Sequence, residues 1–165
     1  MKVLDGRTLL AESGLDHFKA GSTFGALSAE AIRCLLTHGR ILSLDDGEDL
    51  FKPGDPGDSF YVVLEGELDY FRERDNAEVL IRTIPFGEQF GYVSMVGLLD
   101  RIGIGRARGP VSVLLEINSD LFYELHLDFP FDFGILLLNL SRDMARTIRK
   151  ITTHFVETSI GPSVG

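Results

Sequence analysis

The sequence predicts a mainly β fold, an antiparallel barrel or jelly roll, with helices before and after the strands. Between about residue 41 and residue 117, short apolar runs alternate with glycine and aspartate, a spacing typical of antiparallel strands joined by tight turns. On both sides of this region, apolar residues recur at the spacing of amphipathic helices. A chain of 165 residues has the length of one such domain.

Two helical patterns precede the strands. The first extends over residues 7–20, where leucine and phenylalanine recur at helical spacing. The second begins at Ser28, a favourable N-cap residue. Its apolar residues fall on one face: Ala31, Ile32, Leu35 and Leu36. Cys34 lies on the same face, which favours a core side chain over a reactive thiol.

The strand region contains six apolar runs bounded by turn residues. The runs are 41–44, 50–52, 60–64, 68–71, 79–84 and 111–117. Gly54, Gly57 and Gly66 lie between runs, where tight turns need a positive φ or a close backbone approach. We interpret the carboxylates of these turns as a solvated rim, because Asp55 and Asp58 lack the alternating oxygen ligands of a helix–loop–helix calcium site. No metal site is predicted.

Helical periodicity returns after Asp120. A short helix stops before Pro130, and a longer helix follows from about Phe133 to Phe155. Its apolar stripe consists of Ile135, Leu136, Leu138, Leu140, Met144, Ile148, Ile151 and Phe155. The stripe can pack on the barrel of the same chain or on a second copy, and its length favours a homodimer. Residues 158–165 are expected to form a flexible tail.

Charge and composition narrow the functional classes. The net charge is −9, divided into −11 before Gly134 and +2 from Gly134 onward, which argues against a general nucleic-acid binder. No apolar run approaches the about 20 residues that cross a membrane, and no signal peptide is evident. One cysteine excludes an intramolecular disulfide. A cytoplasmic protein without a membrane partner is expected.

Motifs of enzymes are missing from the sequence. The four histidines lie outside the strand region, so the histidine cluster of a jelly-roll metalloenzyme is not present. Neither a nucleophile elbow nor a Walker-type phosphate loop occurs. We therefore expect a protein that is not an enzyme and has no cofactor.

Residues 47–68 carry a long sequence motif in addition to their strand periodicity. Residues 47–68 read GEDLFKPGDPGDSFYVVLEGEL, and they resemble the first half of the cyclic-nucleotide-binding domain, G-E-x-L-F-x-x-G-D-x-G-D-x-x-Y-x-V-L-x-G-x-L. The similarity extends from about Phe24 to His154. The resemblance implies an eight-stranded antiparallel jelly roll over residues 24–157, which includes the long C-terminal helix, after a helical lead over residues 1–23.

The resemblance also implies a cyclic-nucleotide site in residues 86–108, the phosphate-binding cassette. Phe86-Gly87-Glu88 matches the family's F-G-E, which gives Glu88 the ribose 2′-hydroxyl and the backbone of Gly87 and Gln89 the phosphate. Arg101 takes the place of the phosphate arginine, and Ile102 follows it. The alternatives are an exposed Arg101 that pairs with Asp100, and a Glu88 that caps the cassette helix.

The cassette departs from the family's pattern. Twelve residues separate Glu88 from Arg101, where the family has about eight or nine. Ile102 is bulkier than the usual residue at its position, and Gly103 replaces an alanine. The mostly apolar residues 93–99 are expected either to lengthen the cassette helix or to fill the pocket from inside.

The last helix resembles, over residues 140–148, the helix that dimerises catabolite-activator-type regulators. By position, Thr152 is then a candidate contact for the base of the nucleotide, and the alternative is an exposed helix threonine. Those regulators place a helix-turn-helix after this helix, where about ten residues remain here. No direct DNA binding is expected, and the basic residues of this helix are interpreted as a solvated face.

Together these expectations describe a stand-alone cyclic-nucleotide sensor. It would bind cAMP, or cGMP, and signal through its C-terminal helix to an effector protein that the sequence does not identify. The alternative is a degenerate domain of the same fold. That domain would bind no nucleotide, fill its own pocket and act as a protein–protein interaction scaffold.

Overall fold

The computed structural model describes residues 1–159, to which all structural statements below refer. Its elements are β1 Lys2–Leu4, α1 Gly6–Ser13, α2 Leu15–Lys19, α3 Ala29–His38, β2 Arg40–Asp45, β3 Asp49–Phe51, β4 Ser59–Arg74, β5 Ala77–Ile84, β6 Gln89–Phe90, α4 Tyr92–Gly97, β7 Ile104–Asn118, α5 Ser119–Asp128 and α6 Pro130–Ser159. The predicted mainly β fold with flanking helices is confirmed. The expected tail falls largely on residues 160–165, which lie outside the described part of the chain.

The described strands form one antiparallel sheet, in which β4 and β7 are the long central pair. The order is β1-β2-β7-β4-β5, with β3 on β7 and β6 on β4. The β4–β7 register shifts twice between Val63 and Glu67, and the strand bends there without ending. Gly66 stands at this bend with a φ of 72°, and a side chain on it would collide with the backbone of Val111. The sheet has seven strands instead of the expected eight, and runs 60–64 and 68–71 belong to one of them.

The outer strands of the sheet are β1 and β5. β1 was not predicted, because three residues are too few to show an alternating pattern, and it pairs with β2. β5 pairs with β4 and leaves Val79, Leu80 and Ile81 exposed.

Helix boundaries follow local signals. The Ser28 hydroxyl accepts a hydrogen bond from the Ala31 N–H at 3.2 Å, which confirms the predicted N-cap of α3. The first helical pattern divides at Gly14, whose φ is 76°, into α1 and α2. α6 begins at Pro130, three residues before the expected start, since proline suits the first helical position, where no N–H is required.

Two apolar clusters pack against opposite faces of β4. Phe60, Val62 and Leu64 point into the layer between the sheet and the helices, where Leu136 and Leu140 of α6 also lie. The alternate residues of β4 point into the barrel interior. The barrel cluster consists of Leu42, Leu44, Phe51, Tyr61, Val63, Leu68, Ile84, Phe90, Ala107 and Leu114.

The apolar contacts of α6 with the body of the molecule are made by its first half. Leu136 and Leu140 are fully buried, whereas Ile148, Ile151 and Phe155 are exposed. The helix therefore carries its apolar stripe beyond the surface that its own chain covers. Among the helices of the described residues, none is both long enough and apolar enough to cross a membrane.

Candidate ligand-binding site

The cassette between β5 and β7 starts with a turn and a short strand. Gly87, with a φ of 79°, donates its N–H to the Val63 carbonyl at 2.8 Å. β6 then pairs with β4, with Phe90 opposite Tyr61. Gly91 follows with a φ of 92° and is the N-cap of α4. The Phe-Gly pair directly before the cassette helix is therefore Phe90-Gly91, and the predicted Phe86-Gly87 belongs to the preceding turn.

The cassette helix is short, and its apolar residues are divided between the core, where Tyr92 and Met95 are buried, and the surface. α4 contains six residues and ends at Gly97, and its C-cap, Leu98, has a left-handed conformation. Val93, Val96, Leu98 and Leu99 are all exposed. The expectation that residues 93–99 fill the pocket or lengthen the helix is wrong. Met95, the buried residue among them, packs in the cluster between the sheet and the helices, and the additional residues form the turn and β6 that precede α4.

Arg101 is buried within the barrel wall, with only 3% of its surface exposed. Its Nη1 donates a hydrogen bond to the Gly91 carbonyl at 2.9 Å, and its Nη2 donates to the Ser59 carbonyl at 2.5 Å and to Ser59 Oγ at 3.4 Å. The guanidinium also lies 4.6 Å from the centroid of the Phe51 ring and 5.6 Å from that of Tyr61. The alternative expectation, an exposed Arg101 that pairs with Asp100, is therefore wrong.

The partners of the Arg101 guanidinium are all neutral. No carboxylate of residues 1–159 forms an ion pair with it. Glu116 is connected to it only indirectly, because its Oε1 accepts hydrogen bonds from Ser59 Oγ at 3.3 Å and from the Tyr61 hydroxyl at 3.1 Å. Burial raises the pKa of the Tyr61 hydroxyl, so it remains a neutral donor. A buried positive charge without a counter-charge is energetically unfavourable and calls for an anion.

Aromatic rings occupy the barrel interior beside Arg101. The Phe51 and Phe90 rings stack with 5.1 Å between their centroids, and Tyr70 meets Phe90 edge-on at the same distance. Two glycines make room for these rings. A Cβ on Gly103 would overlap the ring of Tyr70, and a Cβ on Gly105 would crowd Phe90 and Phe51. The replacement of alanine by Gly103 is therefore explained by the ring that faces it.

The other predicted ligand residues lie at different places. Glu88 is partly buried in the turn before β6. Ile102 is 61% exposed. Thr152 is exposed, and its hydroxyl donates to the Ile148 and Arg149 carbonyls of its own helix at 2.9 and 3.0 Å. The structure therefore brings neither Ile102 nor Thr152 into the barrel.

Gln89 connects the cassette to α6. It is buried, and its Nε2 donates to Asp143 Oδ2 at 2.5 Å, while its Oε1 has no hydrogen-bond partner within the described part of the chain. Arg82 strengthens the connection, because its guanidinium donates to the Gln89 carbonyl at 3.3 Å and to Thr147 Oγ1 at 3.2 Å. These hydrogen bonds join the cassette strand to the middle of α6.

The sequence does not predict four residues that the structure places around the cassette. They are Ser59, Gly91, Tyr92 and Asp143. Tyr92 is buried against Phe60, with 5.5 Å between ring centroids, and burial raises the pKa of its hydroxyl. A signal for Gly91 and Tyr92 was present in the sequence, which contains two Phe-Gly pairs. Eight residues separate Tyr92 from Arg101, a spacing that fits the family's cassette better than the twelve counted from Glu88.

Comparisons with known proteins agree with this architecture. The family model "Cyclic nucleotide-binding domain" matches residues 41–128. The type II regulatory subunit of cAMP-dependent protein kinase from Drosophila melanogaster is 32% identical over 83 residues, which are 50% of this chain and 22% of that protein. The chain spans less than a quarter of the length of the curated relatives it matches.

Solved structures show the same fold. A cyclic nucleotide-binding domain from Methylobacillus flagellatus superposes with a TM-score of 0.80 at 21% identity, covering 99% of this chain and 92% of that one. The catabolite activator protein of Thermus thermophilus gives 0.71 at 23% identity, with 84% and 63% covered. Since the family model also covers more than half of the sequence, the chain belongs to the cyclic nucleotide-binding domain family.

Proposed function

We propose that this chain is a sensor of a cyclic mononucleotide, cAMP or cGMP, and that the structure corresponds to its closed, ligand-free conformation. Several relatives are named regulatory subunits of cAMP-dependent protein kinase, which supports a signalling role for the domain. The observation that carries the proposal is the buried Arg101 guanidinium, which has neutral partners only.

A cyclic phosphodiester supplies the charge that Arg101 lacks. Nη1 and Nη2 donate to two backbone carbonyls, of Gly91 and Ser59, and two phosphate oxygens can take the places of these carbonyls in a bidentate contact. Each hydrogen bond to a charged partner contributes about 1.5–3 kcal/mol. The exchange replaces weak neutral acceptors by an anion, so ligand binding relieves the unfavourable burial of the cation.

Entry of a nucleotide requires the barrel interior to rearrange. The Phe51 ring lies against the Arg101 guanidinium and stacks on the Phe90 ring, so a ligand that reaches the guanidinium from the barrel interior has to displace these rings. Phe90 is adjacent to Gln89, whose amide is hydrogen-bonded to Asp143 of α6. Displacement of Phe90 therefore changes the contact between the cassette and α6. The ligand shifts α6 only to the extent that it prefers the rearranged state.

The exposed half of α6 is the output surface in this proposal. Ile148, Ile151 and Phe155 remain uncovered by the chain itself, and we propose that they pack on a second copy or on an effector protein. Direct contact with DNA is not part of the proposal. Thr152 lies beside this stripe and reaches a bound base only if α6 moves toward the barrel.

The ribose contact tests which Phe-Gly pair corresponds to the family's F-G-E. If Glu88 is the ribose acceptor, 2′-deoxy-cAMP loses a hydrogen bond to a carboxylate, and its affinity falls by about 10-fold or more. If Phe90-Gly91-Tyr92 is the motif, Tyr92 offers no carboxylate. The affinities of cAMP and 2′-deoxy-cAMP then agree within about threefold, and Glu88→Gln has a similarly small effect.

Calorimetric titration with cAMP and cGMP tests the sensor directly. We expect saturable binding by the native chain and a loss of at least about 10-fold in affinity for Arg101→Lys, which cannot make the bidentate contact. Arg108→Gln is the matched control, because Arg108 lies on β7 with an exposed side chain, and its affinity should be unchanged. Absence of heat for both nucleotides, with a folded protein, would overturn the sensor function.

The second candidate function is a nucleotide-free interaction scaffold. It is favoured by the stacked rings of Phe51, Phe90 and Tyr70, which fill the barrel with the chain's own side chains. In this case neither nucleotide binds, while the folded protein still presents the exposed half of α6. The same titration separates the two candidates.

A further inference from the structure

Three metal-ligating side chains meet between α3 and α5, on residues that the nucleotide site does not use. Cys34 and His38 lie four residues apart on α3, and Glu124 comes from α5. Cys34 Sγ is 3.6 Å from His38 Nδ1, and His38 Nδ1 is 3.1 Å from Glu124 Oε1. All three donor atoms lie within 4.8 Å of one another.

We propose that Cys34, His38 and Glu124 form a zinc site that bridges α3 and α5. Zinc binds sulfur at about 2.3 Å and nitrogen or oxygen at about 2.0–2.2 Å in tetrahedral geometry, which separates neighbouring donor atoms by about 3.3–3.6 Å. The observed 3.6 and 3.1 Å lie close to these values, and the third separation, between the Cys34 sulfur and the Glu124 carboxylate, is within 4.8 Å and has to shorten by side-chain rotation. A thiolate, an imidazole and a carboxylate favour zinc over calcium or magnesium, which prefer oxygen.

The core holds the two helices in place for this site. Leu35 and Leu125, each adjacent in sequence to a ligand, are fully buried in the same apolar cluster. Residues four apart on a helix share one face, so the donor atoms of Cys34 and His38 project together toward α5. The ligands are thus supported by rigid elements rather than by a loop.

One ligand of the cluster, Glu124, brings a carboxylate within 4.8 Å of the sulfur. Asp128 lies one turn beyond Glu124 on α5 and is exposed. Three protein ligands leave one tetrahedral position open, which Asp128 or a water molecule would complete. Cys34, expected from the sequence to belong to the core, is only partly buried, which leaves its sulfur accessible.

Titration of the full chain with Co²⁺, followed by displacement with Zn²⁺, tests this site. Cobalt reports the cysteine ligand, because a thiolate adds a sulfur-to-metal charge-transfer absorption. We expect this absorption in the native chain and its loss in Cys34→Ser. Removal of a residue that only hydrogen-bonds to a metal ligand lowers metal affinity about 10–100-fold. Removal of a ligand itself should cost at least as much, so Cys34→Ser and Glu124→Gln should each weaken zinc binding by at least about 10-fold.

His154→Gln is the matched control, because His154 is an exposed histidine of α6, and its variant should bind both metals as the native chain does. The circular dichroism spectrum of each variant establishes that it is folded. A native chain without the thiolate absorption, or a folded Cys34→Ser variant that binds zinc as tightly as the native chain, would overturn the proposal. His38 and Glu124 would then be a simple ion pair beside a free thiol.

Discussion

Asp143 gives two opposite expectations, depending on the residue that replaces it. Its Oδ2 accepts the Nε2–H of Gln89, whereas Gln89 Oε1 is buried without a partner among residues 1–159. Asparagine at 143 offers an acceptor to Nε2 and a donor to Oε1, so two side-chain amides can satisfy each other. Leucine at 143 leaves both polar atoms of Gln89 unpaired.

The magnitudes follow from these hydrogen bonds. A buried donor left unsatisfied costs about 1–3 kcal/mol, so Asp143→Leu should lower the free energy of unfolding by about 2 kcal/mol. An additional neutral hydrogen bond contributes about 1 kcal/mol, so Asp143→Asn should raise that free energy by up to about 1 kcal/mol. In a chain of this length, the melting temperature then falls by about 4–8 °C for leucine and rises by up to about 4 °C for asparagine.

Urea unfolding followed by circular dichroism measures both variants, provided that the slopes of the transitions agree. Gln89→Leu combined with Asp143→Leu is the control. An apolar pair leaves no polar group unsatisfied, so the double variant should be more stable than Asp143→Leu alone. Equal destabilisation by Asp143→Asn and Asp143→Leu would refute the reasoning, since the pairing with Gln89 would then contribute nothing.

Three further expectations concern packing, assembly and pH. Gly103→Ala places a methyl group against the Tyr70 ring and should lower the free energy of unfolding by about 1–3 kcal/mol in the same urea assay. Ile151→Glu should reduce self-association in sedimentation velocity while changing stability by at most about 0.5 kcal/mol. Burial raises the pKa of Asp49, but the Arg106 guanidinium at 2.6 Å lowers this pKa by more. The ionised Asp49 carboxylate therefore stabilises the fold fully above about pH 4, and this stabilisation is lost as the pH falls through the depressed pKa of the folded state. Urea midpoints should accordingly fall less on acidification in Arg106→Gln than in the native chain.

Each expectation has a contrary outcome. Gly134→Ala is the control for Gly103→Ala, because a Cβ at Gly134 in α6 meets no atom within 4 Å, and alanine should stabilise this helix by about 0.5–1 kcal/mol. Equal effects of the two alanines would contradict the packing argument. An Ile151→Glu protein that associates like the native chain would exclude α6 as the interface. If the urea midpoints of the native chain and of Arg106→Gln fall equally on acidification, the ion pair of Asp49 does not contribute to the acid sensitivity of the fold.

Much of the fold could be predicted because its signals are local. Ser28 caps α3 as its side chain suggests, and the strand runs follow the alternation of apolar and turn residues. The merger of two runs into β4 could not be predicted, because the turn-like residues around Gly66 form a bulge, and only the pairing with β7 keeps the strand continuous there.

The site was harder to predict because its contacts are distant in sequence. The motif predicts Arg101 as a site residue, but it does not predict the acceptors at Ser59 and Gly91, which are backbone carbonyls that any residue type provides. The choice between the two Phe-Gly pairs depends on the pairing of Phe90 with Tyr61 across β4 and β6. No short-range pattern encodes that pairing.

The outer position of β5 has a practical consequence for handling the protein. An outer strand presents unpaired N–H and carbonyl groups, and β5 adds the exposed side chains of Val79, Leu80 and Ile81. Glu78 and Arg82 are the charges that flank this apolar stretch, and such flanking charges restrain intermolecular strand addition. Concentrated or acidified samples, in which Glu78 loses its charge, should therefore aggregate first through β5, and Leu80→Lys is the substitution that would protect this edge without disturbing either core.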